Sequence, residues 1–216
     1  MYARFFAPVA EGGPSGLHDP PRPFVLRVRH LDGAFLQQFH IGMNVFETNQ
    51  PDLVSLRAVV GDFARESLRA EVCVVEGAEL LRLPLLAARP GRRVRVTFLS
   101  PTELKNQETP EFGPLFSRIR DRAGTLRSLY GGGPLDIDFK ALGDRAAAIR
   151  MTRCELEHVD AERVSRGKRH PLSGFTGVAE YEGDLTEFIP FLEIASYIGV
   201  GRQTVWGKGE ISIETF

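Results

Sequence analysis

Residues 112–133 read FGPLFSRIRDRAGTLRSLYGGG and carry a clear helical pattern. Apolar residues recur at spacings of three and four, which predicts a helix with one buried face, and the three glycines end it. This face consists of Phe112, Leu115, Phe116, Ile119, Ala123, Leu126 and Tyr130. The elements predicted on either side of the helix then decide the fold of the second half.

Strands flank this helix. Polar and apolar residues alternate over 92–99, which predicts a strand that ends at Ser100-Pro101. A short helix is predicted at 139–148, and further strands are predicted at 149–159, 175–181 and 204–213. With a last helix before the final strand, the order is β-α-β-β-α-β plus one short helix, which is the ferredoxin-like arrangement.

The last helix has a start signal of its own. Asp184 and Glu187 have the spacing of a capping box, which predicts that the helix begins there. Pro190 lies inside the segment and either kinks the helix or marks a later start. The apolar face consists of Leu185, Phe188, Ile189, Leu192 and Ala195.

The first half has a shorter form of the same order. Strands are predicted at 24–31, 35–46 and 71–75, and Asp52 is expected to cap a helix between the last two. The apolar face of that helix is Leu53, Leu56, Val60 and Phe63. We therefore expect an α+β protein of two tandem ferredoxin-like domains, an incomplete one (ββαβ) at 1–86 and a complete one (βαββαβ) at 87–216.

The composition is that of a globular protein, with 216 residues and a formal net charge of −1. No apolar run reaches membrane-spanning length and the N-terminus lacks signal-peptide features, so we expect a cytoplasmic protein with no membrane partner. Cys73 and Cys154 lie in strand-like apolar runs and are expected to be buried free thiols, with no zinc site, other metal or cofactor. The near-neutral charge argues against indiscriminate nucleic-acid binding.

Two local features could still contact a phosphate chain. The first is the basic segment 163–170, RVSRGKRH, for which a solvated loop is the alternative. The second is GVGRQTVWGKG at 199–209, where paired glycines can let backbone N–H groups face one concavity and Arg202 and Lys208 add positive charge. A hairpin whose turns need positive φ is the alternative for this second segment.

The second half resembles the C-terminal region of the CRISPR-associated endoribonucleases that process precursor repeat RNA, members of the RAMP superfamily. The resemblance rests on Pro101 to Leu104, FGPLFSRIRDRAGTLRSLYGG with DIDF, SRGKR, GFTGVAEYEGDLTEFIPFL and GVGRQTVWGKG. The first half fits more loosely, through YARFFAP and PPRPFVL. Full-length members begin with a strand and a helix ahead of the residues that match YARFFAP, and the chain is expected to lack both.

The resemblance implies attack of a ribose 2′-hydroxyl on the adjacent phosphate without a metal ion, leaving a 2′,3′-cyclic phosphate and a 5′-hydroxyl. Such a reaction needs a base, an acid and donors to the phosphorane, and histidine suits the first two roles. In many family members the base is a histidine of the first domain, to which no position here is matched. Members with this type of C-terminal region often have histidine where this chain has Gly199.

The candidate catalytic residues are His170 and Tyr197. His170 is a possible base or phosphate contact because Arg166, Lys168 and Arg169 precede it, whereas Tyr197 is equally compatible with the core. The expected RNA contacts are Arg166, Lys168, Arg169, Gly199, Gly201, Arg202, Gly207, Lys208 and Gly209. The other histidines, His18, His30, His40 and His158, are expected to be structural or solvated.

Three functions are compatible with these features. One is a repeat-processing endoribonuclease, the second is a non-catalytic RAMP-type subunit that binds CRISPR RNA or a nuclease remnant, and the third is a ferredoxin-like interaction domain. The first two imply CRISPR repeat RNA as a partner and allow CRISPR effector proteins. A sheet without its opening strand exposes an edge, so we also expect self-association or a partner that covers the first domain.

Overall fold

A computed structural model describes residues 20–30, 39–46, 58, 61–62, 65–66, 79–105, 107–160, 162–165, 168–171 and 173–216. They form a mixed α/β structure with antiparallel sheets. The strands are β1 (Phe24–His30), β2 (Phe39–Val45), β3 (Arg93–Thr102), β4 (Arg150–Val159), β5 (Glu162–Ser165), β6 (Lys168–Pro171), β7 (Gly174–Glu182) and β8 (Ile211–Thr215). The helices are α1 (Phe112–Tyr130), α2 (Phe139–Ala147), α3 (Ile189–Ile198) and a 3-10 turn (Thr204–Trp206).

A four-stranded antiparallel sheet in the order β4-β7-β3-β8 forms the centre of the second half. Along β3, Val94, Val96 and Phe98 are buried under the helices, whereas Arg93 is exposed on the opposite face. This alternation follows from the two-residue period of a strand. β3 ends at Thr102, later than predicted, after an irregularity in its pairing with β7 beyond Phe98.

The core between helices and sheet is largely aromatic. The rings of Phe112 and Phe116 stack within α1 at 6.0 Å, and Phe188 meets them edge-on at 5.3 and 4.7 Å. Phe191 meets Phe116 edge-on at 5.3 Å. Edge-to-face contacts of this kind add to the stabilisation from burial. The predicted apolar face of the 112–130 helix is buried along its whole length.

The start of α3 shows that the capping-box prediction is wrong and that Pro190 marks a later start of the helix rather than a kink. The helix begins at Ile189 with Pro190 in its first turn, so Asp184 and Glu187 do not form its capping box. Proline is tolerated there because N–H groups of a first turn have no partner inside the helix. Instead, Asp184 accepts a hydrogen bond from the Thr186 N–H at 3.2 Å.

Two further predictions about secondary structure are wrong. In the basic segment, residues 163–165 and 168–170 are strand rather than loop, because β5 and β6 pair antiparallel with Arg163 opposite His170. The predicted strand at 204–213 is the 3-10 turn followed by the shorter β8. No helix in the described ranges is long and apolar enough to cross a membrane.

Cys154 is exposed rather than buried, because β4 lies at the edge of its sheet and most of its side chains face solvent. Cys73 lies outside the described residues, as do His18 and the predicted strand at 71–75. Of the predicted helix after Asp52, the described residues 58 and 61–62 are helical.

The first-half strands β1 and β2 form an antiparallel hairpin that packs on the second half. Phe24 of β1 and Val205 of the 3-10 turn are buried together, with Leu26, Met43 and Val45 against them. Asn44 Nδ2 donates to the Tyr197 carbonyl at 2.9 Å. The first half therefore covers one side of the segment 199–209.

Candidate nucleic-acid interface

The segment 199–209, here called the glycine-rich loop, begins where α3 ends at Ile198. All four of its glycines have positive φ, between 66° and 88°. A Cβ atom on Gly209 would lie 1.8 Å from the Val200 carbonyl oxygen, and one on Gly201 would lie 2.4 Å from the Glu103 carbonyl oxygen. Glycine is required at both positions because backbone segments approach each other there in a left-handed conformation.

Most of the glycine amides in this loop are bonded within the protein. The N–H groups of Gly199, Gly207 and Gly209 donate to the carbonyls of Ala195, Thr204 and Pro101, at 2.8, 3.0 and 3.1 Å. Gly199 and Gly209 are buried, and Gly201 and Gly207 are half-buried. Those three amides cannot bind a phosphate while these hydrogen bonds are made, so the loop is a packed turn rather than an open cradle of four amides.

The two charged side chains of the loop share one carboxylate. Arg202 Nη1 lies 2.8 Å from Glu103 Oε1, and Lys208 Nζ lies 3.2 Å from Glu103 Oε2. Burial acts to raise the pKa of Glu103, but the hydrogen bonds and charges of Arg202 and Lys208 outweigh it and hold the pKa below its ordinary value. The side chain of Lys208 is 5% exposed, whereas that of Arg202 is 65% exposed.

Lys208 also bonds the chain shortly after the paired strands β5 and β6, a segment (162–171) that we call the basic hairpin. Its Nζ donates to the Ser173 carbonyl at 2.8 Å, and Ser173 lies between the hairpin and β7. At Gly174, a Cβ atom would lie 2.6 Å from the Thr102 carbonyl oxygen, so this strand start packs against the end of β3. The glycine-rich loop and the start of β7, which follows the basic hairpin in the chain, therefore meet at the end of β3.

The remaining predicted site residues are placed in different ways. Lys168, Arg169 and His170 lie in β6, and Arg166 lies outside the described residues. Tyr197 is half-buried near the end of α3. Among the described residues, no group of three histidine, cysteine or acidic side chains could hold a metal ion.

The other described histidines lie in the strands. His30 lies in β1 and His40, which is exposed, in β2. His158 is exposed in β4, with its Nε2 atom 3.2 Å from Asp160 Oδ1.

Sequence reasoning missed two charged residues that hold this region together. Glu103 lies within the 101–104 motif, but its partners lie about a hundred residues later in the chain. Arg122 of α1 donates from Nε to the Ile198 carbonyl at 2.8 Å, directly before the loop. Burial, with the charge of Arg27, lowers the pKa of Arg122 to about 10. Neither role has a signal in local sequence, because both depend on tertiary packing.

The family model of the CRISPR-associated endoribonuclease Cas6 matches residues 96–211, which is more than half of the chain. The matched span includes α1, the basic hairpin and the glycine-rich loop. No curated protein matches the chain by sequence.

Solved structures with the same fold include two Cas6 product complexes. The Thermus thermophilus protein Cas6 (TTHB231) has a TM-score of 0.62 at 16% identity, over 90% of this chain and 83% of that chain. Cas6 (TTHA0078) has a TM-score of 0.58 at 18% identity, over 90% and 83%. A partial Cas6-RT-Cas1--Cas2 complex has a TM-score of 0.55 at 12% identity, over 89% of this chain and 39% of that chain. From the family match, the chain belongs to the CRISPR-associated endoribonuclease Cas6 family.

Proposed function

We propose that this protein cleaves CRISPR repeat RNA through attack of a ribose 2′-hydroxyl on the adjacent phosphate, without a metal ion, to give a 2′,3′-cyclic phosphate. One observation carries the proposal: the Lys208–Ser173 bond ties the glycine-rich loop to a residue two positions after the basic hairpin, inside the segment matched by the family. The glycine-rich loop is thereby anchored close in the chain to a basic segment, although the formal net charge of the whole chain is −1. Family membership supports repeat RNA as the substrate.

The proposed architecture is two ferredoxin-like domains of the RAMP type, at 1–86 and 87–216. For the second domain, support comes from the chain order of β3, α1, β4, β7, α3 and β8 and from the antiparallel sheet that these strands form. For the first domain, support is limited to the β1–β2 hairpin. Both halves would then contribute to one RNA-binding surface at the glycine-rich loop.

The proposed RNA contacts are Lys168 and Arg169 of the basic hairpin, Arg166 of the same basic segment, and the exposed Arg202 of the glycine-rich loop. His170 is proposed as a base or phosphate contact, with Tyr197 as a positioning group near the end of α3. RNA phosphates attract arginine and lysine regardless of sequence, and a stem is recognised by shape and backbone. We therefore expect the basic hairpin to hold a stem or its flank.

The decisive experiment incubates the purified chain with a labelled transcript of the CRISPR repeat from the same genome, in excess EDTA. Cleavage with a 2′,3′-cyclic product end, abolished by a 2′-deoxy nucleotide at the cleaved position, is the expected result. His170→Ala should slow this cleavage if the residue acts as base or phosphate contact. Unchanged cleavage by that variant would remove His170 from the site.

The second candidate is a non-catalytic subunit that binds CRISPR RNA, or a remnant of a nuclease. The observation that favours it is that Arg202 and Lys208 are both paired with Glu103, so that one carboxylate offsets part of the positive charge of the glycine-rich loop. The same incubation separates the candidates, because salt-sensitive binding of the transcript without a cyclic product supports the subunit. Absence of both binding and cleavage contradicts the two candidates together.

Partner proteins are part of the proposal. One structural relative was solved as a partial Cas6-RT-Cas1--Cas2 complex, which supports CRISPR proteins as a class of partner. The exposed edge strand β4 is also a feature that proteins often cover by pairing with another chain. We expect self-association or a stable partner, and a strictly monomeric species in sedimentation at high concentration would contradict self-association.

A further inference from the structure

Arg202 and Lys208 both pair with the Glu103 carboxylate, but they differ in burial. Lys208 is almost fully buried and has a second bond to the Ser173 carbonyl. Its ammonium group is therefore held in one position by two partners. Breaking such a contact would leave an uncompensated buried charge, which is strongly unfavourable. Lys208 is therefore held in position rather than available to a ligand.

Arg202 has the opposite character. Most of its side chain is exposed, and an exposed ion pair of this kind contributes little net stability. Its backbone is nevertheless fixed, because the Arg202 N–H donates to the Glu103 carbonyl at 3.1 Å and the adjacent Gly201 packs against the same carbonyl. Its guanidinium can thus exchange partners while the chain beneath it stays in place.

A carboxylate and a phosphate offer a guanidinium the same kind of acceptor, two oxygens on one group. We propose that Glu103 is a protein-borne anion beside the glycine-rich loop, one that positions Lys208 permanently and holds Arg202 until a ligand phosphate takes that side chain over. Glu103 is thus a positioning residue that also competes with the ligand. The proposed function enters only in identifying the phosphate chain as RNA.

The test measures binding of two probes, the labelled repeat transcript and inorganic tripolyphosphate, to the full chain and its variants. Glu103→Gln should bind each probe about two- to fivefold more tightly, because Arg202 is released from its internal partner. In a background of Arg202→Ala, the same Glu103→Gln change should give no gain. Glu108→Gln is the matched control, since Glu108 is exposed and lies, like Glu103, between β3 and α1.

The outcomes separate this inference from the proposed function. Tighter tripolyphosphate binding by Glu103→Gln, with no RNA binding by the native chain, supports the inference and overturns the proposed function. Unchanged binding of both probes by a folded Glu103→Gln variant overturns the inference, and so does an equal gain from Glu108→Gln. Should Glu103→Gln fail to fold, Arg202→Ala decides. The slope of log affinity for the transcript against log salt should then be smaller than that of the native chain by about one, which supports the exchange. An unchanged slope overturns it.

Discussion

Gly209 is the position at which the glycine-rich loop should tolerate a side chain least. We expect Gly209→Ala to destabilise the fold by several kcal/mol, on the order of 2–4, because its Cβ would overlap the Val200 carbonyl and its φ is 66°. Gly133→Ala is the control, since φ there is 71° but nothing lies within 4 Å of the added atom. That variant should lose only about 1 kcal/mol. Urea denaturation measures both, and equal losses would show that crowding is not the cause.

Lys208 should matter more for stability than Arg202. Lys208→Met keeps most of the buried stem but leaves the Ser173 carbonyl and one Glu103 oxygen without their donor, at a cost of about 1–3 kcal/mol. Arg202→Ala removes an exposed pair and should change the free energy of unfolding by less than about 0.5 kcal/mol. Urea denaturation would contradict this ranking if Arg202→Ala proved the more damaging of the two.

The sequence predicts that the segment 199–209 is a loop, but it does not predict the tertiary contacts of the residues in that loop. The spacing of the four glycines indicates a loop with special backbone geometry, and all four have positive φ. The sequence does not reveal that Gly209 is required by contact with Val200, or that Lys208 is buried against Glu103. Both facts depend on which backbone segments pack together, and charge in a sequence does not say whether a partner neutralises it.

At the level of elements, the basic hairpin is expected to supply phosphate contacts without supporting the fold. The double variant Lys168→Ala/Arg169→Ala should weaken transcript binding and reduce the slope of log affinity against log salt by about 1.5, with an unchanged melting temperature. Lys140→Ala is the matched control, because it removes a highly exposed charge on α2. A salt slope equal to that of the native chain would contradict phosphate contact by the hairpin.

The elements also show where sequence patterns succeed and fail. Helix α1 is predicted along its full length because seven apolar residues share one face and all seven are buried. The start of α3 is missed by the capping-box reading, because Asp184 forms a local turn instead and Pro190 fits the first turn. The basic hairpin has no apolar alternation to indicate strands, so its pairing is set by backbone hydrogen bonds that the pattern does not encode.

On the scale of the whole molecule, many positive side chains are paired with negative ones, and neither sign is in large excess. The sheet face opposite the helices carries arginines that pair with glutamates across strands, as between Arg95 and Glu214. Arg93, Arg95 and Arg153 also surround one carboxylate, Glu180, at 2.9–3.3 Å. A net charge of −1 therefore hides local clusters of both signs, so the charge of the whole chain does not locate a polyanion-binding site.

This pairing predicts how stability responds to acid. The hydrogen bond from Arg95 lowers the pKa of Glu180 against an opposing effect of burial, and Arg153 lowers it further. A carboxyl with a lowered folded pKa stabilises the protein above its unfolded pKa, about 4.3, and that stability is lost as pH falls through the folded value. The melting temperature should therefore be nearly level from pH 7 to about 5 and fall below about pH 4.

Glu180→Gln tests this assignment, because the amide keeps the size of the side chain but cannot titrate. Its melting temperature at pH 7 should lie below that of the native chain, and the gap should narrow as the pH falls and the native Glu180 becomes protonated. Glu108→Gln, at an exposed position, should follow the native curve at every pH. If the difference in melting temperature between Glu180→Gln and the native chain stayed constant from pH 7 to 3, protonation of Glu180 would not contribute to the loss of stability in acid.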